Sequence, residues 1–125
     1  MNKTVALVAV VLVLVGGYMY YGKNQVTVRE FSMTSWMEMK DDVVTSAYFS
    51  LGEMKVKKGD TVRITVTNTA GIHDFVIDEF DVQKETPLNE PVVIEFVADK
   101  AGTFEYYCSK YNHRQIGQRG NLIVE

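Results

Sequence analysis

Three side chains in this sequence could hold a soft metal ion: His73, Cys108 and His113. They are the chain's entire stock of imidazole and thiol, which amounts to two histidines and one cysteine. Cys108 and His113 enclose the short run Ser109-Lys110-Tyr111-Asn112, and His73 opens a largely apolar run that includes Phe75, Val76 and Ile77. One thiolate and two imidazoles form the donor set of a trigonal copper site with a weak axial fourth ligand. Thiolate favours Cu(I) and imidazole accepts both oxidation states, so a rigid cage between the two preferred geometries suits electron transfer. Taken singly, each residue reads more simply. A lone cysteine is usually a small buried hydrophobe and a lone histidine is usually structural. Their coincidence points to a metal. A single thiol also excludes an intrachain disulfide, a zinc ribbon and an iron–sulfur cluster. Two histidines cannot build a three-histidine zinc or copper site.

Rigid elements must bring these residues together. A length of 125 residues suits one small domain, and 46% hydrophobic residues are enough for a packed core. Thirteen basic against sixteen acidic residues leave a net charge of −3, which argues against a nucleic-acid partner. The dominant period after residue 23 is two. Val62, Ile64 and Val66 alternate with Arg63, Thr65 and Thr67, and Met54 and Val56 alternate with Lys55 and Lys57. Phe104, Tyr106 and Cys108 share one face of a later run, and Leu122 and Val124 share one face of the last. Turn signals separate the runs: Lys58-Gly59-Asp60, Asn68-Thr69-Ala70-Gly71 and Asp99-Lys100-Ala101-Gly102. This pattern predicts an all-β antiparallel sandwich or barrel. Only residues 36–42 admit a turn of helix. Met33, Met37 and Met39 could bind Cu(I) through their thioethers, but Phe31 and Met33 alternate as a core-packing strand does.

The N-terminus differs in kind. Residues 4–22 contain no charged side chain, with Lys3 before them and Lys23 after. A helix of that length spans roughly 28 Å, close to a bilayer core. Tyr18, Tyr20 and Tyr21 stand at its far end, where aromatic residues favour the membrane interface. The segment predicts an uncleaved signal anchor over residues 1–22, with a domain over residues 23–125 on the extracytoplasmic side of the cytoplasmic membrane. The alternative is a cleaved signal peptide and a secreted domain. No small-x-small cleavage site is obvious near Gly16 and Gly17.

The run Asp99-Lys100-Ala101-Gly102-Thr103-Phe104-Glu105-Tyr106-Tyr107-Cys108-Ser109, followed by His113, Gly117 and Gly120, resembles the C-terminal signature of cupredoxins. Val56-Lys57-Lys58-Gly59-Asp60 and His73-Asp74-Phe75 add to the resemblance, which extends over residues 26–125. It implies a Greek-key β-sandwich of seven or eight strands holding one type 1 copper, which cycles between Cu(I) and Cu(II). The ligands it implies are His73, Cys108 and His113. Asp74 would brace the ligand loop through Ser109, and the loop histidine would be the exposed edge through which electrons pass.

Two positions depart from the family pattern. The family's Gly-Met-x-Gly, whose methionine is the axial ligand, reads here Gly117-Gln118-Arg119-Gly120. No methionine follows Met54, so Gln118 becomes the axial candidate, as in stellacyanin-like proteins, and Gln115 a weaker one. A harder axial oxygen favours Cu(II) and lowers the reduction potential. Asn112 stands where a glycine is common, and asparagine tolerates the left-handed backbone such a turn needs. The single cysteine also excludes a binuclear copper site, which this loop otherwise resembles.

Function follows from the site. The leading expectation is a membrane-tethered electron carrier that transforms no substrate. A copper-handling role in storage, delivery or sensing is the alternative. A copper nitrite reductase needs a second, catalytic copper, and no histidines are spare for it. Lys110, Arg114 and Arg119 in or beside the loop suggest a basic rim around His113 that steers acidic redox partners. Asp74, Asp78, Glu79 and Asp81 follow the first histidine. Oligomeric state is open.

Overall fold

The computed structural model describes residues 26–125. Nine strands follow one another: β1 (Val28–Lys40), β2 (Val43–Phe49), β3 (Glu53–Val56), β4 (Thr61–Asn68), β5 (His73–Ile77), β6 (Val82–Thr86), β7 (Pro91–Val97), β8 (Gly102–Tyr107) and β9 (Arg119–Val124). One short 3-10 turn, Asp78–Phe80, joins β5 to β6. The strands form a four-stranded sheet in the order β2-β1-β4-β7 and a five-stranded sheet in the order β3-β9-β8-β5-β6. The fold is therefore an all-β sandwich, with nine strands in place of the expected seven or eight. No helix among the described residues is long and apolar enough to cross a membrane. The anchor expected over residues 1–22 lies outside the described residues.

The alternation read from the sequence sets the inner faces. Val62, Ile64 and Val66 of β4 are fully buried, as are Tyr106 of β8 and Leu122 of β9. Met54 and Val56 of β3 and Val124 of β9 are nearly so. Between the sheets, Phe49, Phe75 and Tyr106 form an aromatic triangle with ring centroids 5.4–5.8 Å apart. Each large apolar side chain removed from water contributes about 1.5–3 kcal/mol, so this triangle is a main anchor between the sheets. Gly120 makes it possible. A Cβ there would lie 2.4 Å from the Tyr106 ring and hydroxyl, whose O–H donates to the Leu51 carbonyl at 2.6 Å.

Two pairings correct the antiparallel expectation. β1 runs parallel to β4, and β3 parallel to β9. Neither pair is joined by a hairpin. The chain crosses to the opposite sheet in between, so turn chemistry does not fix the direction of pairing. The helical turn admitted at residues 36–42 is also absent. β1 continues through Lys40, and Asp41 and Asp42 form a two-residue hairpin loop with φ of 52° and 62°. Positive φ at both positions matches the right-handed twist of the flanking strands.

This hairpin matters for the site. The last β4 partner of β1 is Ser35, opposite Asn68. Residues 36–40 therefore extend past the end of β4, and with β2 they form an arm at one pole of the sandwich. Trp36 and Tyr48 stiffen it as a cross-strand pair, with ring centroids 5.2 Å apart.

Candidate metal centre

All three predicted metal ligands converge at the pole flanked by this arm. Cys108 follows β8, His73 opens β5, and His113 sits in the loop between β8 and β9. Their donor atoms all lie within 4.8 Å of one another, and each side chain is 2% exposed or less. His73 Nδ1 is 3.9 Å from Cys108 Sγ, and His113 Nδ1 is 3.6 Å from it. With metal–nitrogen and metal–sulfur bonds of about 2.0 and 2.3 Å, donors 120° apart are separated by about 3.7 Å. The observed spacing brackets that value.

The orientation of His73 is set by the loop before it. Its Nε2–H donates to the Ala70 carbonyl at 2.7 Å, which leaves the Nδ1 lone pair facing the sulfur. Asn68 ties this loop. Its side-chain oxygen accepts the Ala70 N–H at 3.1 Å, and its amide donates to the carbonyls of Gly71 at 2.7 Å and Thr86 at 3.0 Å. Sequence reasoning missed Asn68 as a functional residue. The signal was present, because Asn68 continues the inward alternation of Val62, Ile64 and Val66. A polar residue in that series must find partners.

The second loop is bound through its backbone. Cys108 N–H donates to the Gln118 carbonyl at 3.1 Å, and Gln118 N–H donates to the His113 carbonyl at 2.9 Å. His113 N–H donates to the Lys110 carbonyl at 3.1 Å, closing a tight turn. The left-handed residue of that turn is Tyr111, with φ of 50°, rather than Asn112. Asp74 braces both loops, as the resemblance implied. Its carboxylate accepts the Ser109 N–H at 2.6 Å and also the Ser109 hydroxyl.

Electrostatics favour a neutral, dry donor set. Burial pushes the Cys108 thiol up to about 11, opposed by the backbone N–H groups of Asp74 and Lys110, which favour the thiolate. Burial, and then His73, lower the His113 pKa and keep its imidazole in the uncharged form a metal requires.

Gln118 is fully buried beside these donors, and neither its Oε1 nor its Nε2 has a hydrogen-bond partner. Its amide comes close enough to His113 to favour the imidazolium slightly, without completing a hydrogen bond. Leaving a buried amide unpaired costs about 1–3 kcal/mol, so its environment is complete only with a further partner. Gln115 is exposed and takes no part.

Two expectations about the surface change. His113 is 2% exposed, so it is not an exposed edge. It lies at the base of a cavity of about 450 Å³ walled by Met37, Val43, Val44, Ile72 and Tyr111. Of the three cations expected at its rim, two are paired and Arg119 is exposed. Lys110 Nζ meets Glu85 at 2.6 Å, and Arg114 meets Glu105 at 2.5 Å while its guanidinium covers the Tyr107 ring at 3.8 Å. Asp78, Glu79 and Asp81 sit at the far end of β5, and Asp78 accepts the Tyr107 hydroxyl at 2.8 Å.

Of the three spaced methionines, Met33 joins the core, Met39 is 53% exposed and Met37 lines the cavity over His113.

Comparison with known proteins agrees with this geometry. The cupredoxin-like domain family matches residues 19–124. Nitrous-oxide reductases from Cupriavidus necator and Ralstonia nicotianae are 39% and 35% identical to the chain over 82 residues. Each match covers 62% of this chain and 13% of the reductase, so the chain spans a small fraction of these relatives. Among solved structures, copper nitrite reductase from Nitrosomonas europaea superposes with a TM-score of 0.67 at 18% identity. The match covers 79% of this chain and 42% of that one. A Cu-containing nitrite reductase from Thermus scotoductus SA-01 gives the same score at 23% identity, covering 79% of this chain and 28% of that one. Identities this low carry the fold alone. A thiolate and two imidazoles gathered at one pole of such a sandwich fit a copper ion, and the chain belongs to the cupredoxin-like domain family as a copper-binding member.

Proposed function

We propose that this domain is a one-electron carrier held at a membrane by its N-terminal segment, and that it transforms no substrate itself. The observation that carries this reading is the preformed donor set. His73 Nδ1, His113 Nδ1 and Cys108 Sγ stand at ligand spacing, buried, with their backbones hydrogen-bonded in place. The bound copper supplies the redox change. The chain's own residues keep the donors fixed and water out, which lowers the reorganisation accompanying that change.

Gln118 would be the fourth residue to hold the copper, through Oε1. Its orphaned, fully buried amide supports this role, and a glutamine oxygen favours Cu(II) over Cu(I). Asp74 and Ser109 hold the thiolate loop against the first histidine loop.

The proposed tether precedes β1. β1 starts at Val28 opposite Thr61, and the Thr61 N–H donates to the Thr27 carbonyl. This is the pole opposite the metal centre, roughly 25 Å away along β4. In this reading a membrane segment over residues 4–22 would join the domain at that pole and leave the centre open to redox partners. The apolar wall over His113 fits partners that dock through an apolar patch better than the acidic ones expected from sequence, because Lys110 and Arg114 are already paired.

Voltammetry of the copper-loaded full chain tests this function. A reversible one-electron wave with copper retained through repeated cycles is expected. Loss of the metal on reduction would instead support copper handling.

A further inference from the structure

The donor set is closed: its four polar side chains, Gln118 included, are all 2% exposed or less. Copper must nevertheless reach it. Among the described residues, one cavity is lined by His73 and another by His113. One, of about 400 Å³, lies beside His73 and is walled by Asn68, Thr86, Pro87 and Leu88. It offers no sulfur, and the Nε2 edge of His73 is already engaged with Ala70. The other opens over His113 and holds one thioether, that of Met37.

Met37 packs against Gly71, in the loop that leads into His73. A Cβ on Gly71 would lie 2.7 Å from Met37 Sδ and 3.1 Å from His73 Nε2. The sulfur and the edge of the first ligand therefore flank the same glycine, whose φ of 99° also disfavours any larger residue. Among the described residues, the other methionines are in the core or out on the arm. Thioether sulfur is a soft donor that selects Cu(I), and a flexible side chain can follow a moving ion.

We propose that Met37 is the uptake ligand for Cu(I): its thioether receives the ion in the cavity over His113 and passes it inward. The transfer is a ligand exchange with no change of oxidation state. Cu(I) would leave its donor for Met37 Sδ, in the cavity that His113 also lines, and pass from there to the buried donors. Met37 is then replaced by Cys108, whose thiol proton goes to solvent. The proposal rests on the copper centre being real, and the experiment separates the two.

The full chain, metal-free and reduced, is mixed with the Cu(I)–bicinchoninate complex, and loss of that complex's absorbance gives the loading rate. A parallel reaction uses aqueous Cu(II), a harder ion with little use for a thioether. Met37→Leu keeps the apolar packing and removes the sulfur. The variant is expected to load Cu(I) about tenfold more slowly, at the low end of the cost of losing a supporting group at a metal site. It should load Cu(II) at the wild-type rate and reach the same final visible spectrum. Cu(I) loading at the wild-type rate in Met37→Leu would overturn the proposal. Equal slowing of both ions would overturn it too, because Met37 would then be a packing residue. Failure of the wild-type chain to take up either ion would remove the copper centre itself, and this proposal with it.

Discussion

The backbone N–H of Cys108 donates to the carbonyl of Gln118 at 3.1 Å, so the thiolate position and the axial candidate are fixed to each other before any metal binds. The Gln118 side chain is fully buried. Its two polar atoms, buried and unpartnered, have the centre as their natural outlet. Gln118→Met exchanges an oxygen donor for a softer sulfur and should raise the reduction potential. A rise of about 60 mV corresponds to a tenfold shift toward Cu(I). Voltammetry of the two proteins at one pH measures it, and an unchanged potential removes Gln118 from the axial position.

Asp74 is the brace between the two ligand loops. Asp74→Ala removes the charged, buried acceptor of the Ser109 N–H and hydroxyl. It should cost about 1–3 kcal/mol of stability, read by urea unfolding. Copper affinity should fall about 10–100-fold, read by competition with a chelator. Ser109→Ala keeps the N–H to Asp74 bond and should do less in both assays. Equal effects of the two substitutions would argue against the brace.

Gly120 tests the core beneath the centre. An alanine Cβ meets the Tyr106 ring at 2.4 Å, and Tyr106 is fully buried with its hydroxyl engaged. Gly120→Ala should destabilise the fold by about 1–3 kcal/mol through overpacking. The single tryptophan, Trp36, reports unfolding by its fluorescence. A variant as stable as wild type would mean that Tyr106 has room to move.

The apolar wall over His113 predicts where electrons leave. Electron self-exchange between oxidised and reduced copies needs no other partner, and NMR line broadening measures it. Val43→Asp places a charge on the wall and should slow self-exchange by about tenfold, since like charges then face each other in the encounter. Val93→Asp, at an exposed site on β7, should leave the rate unchanged. Equal slowing by both would point to a net-charge effect and away from a docking face.

The inward alternation of β3, β4 and β9 was legible because a half-buried strand must repeat every two residues. His73, Cys108 and His113 were legible because the chain holds no other imidazole or thiol. What escaped depends on contacts distant in sequence. The parallel pairing of β1 with β4 follows from crossovers between sheets, which no local turn encodes. The Asp41-Asp42 hairpin lacks the glycine that usually marks such a turn. Tyr111 takes the left-handed position that Asn112 was expected to hold, because closure of the turn onto Lys110 sets the backbone there. The burial of His113 and the place of Met37 arise from an arm rising past the end of β4, and strand length of that kind is not written in composition.

The most direct test of the centre is a Cu(II) titration of the full chain followed by visible absorption. An intense thiolate-to-copper band that saturates at one copper per chain, and is abolished in Cys108→Ser, is the predicted result. A pale d–d band, or intense colour retained in Cys108→Ser, would contradict a copper centre built on His73, Cys108 and His113.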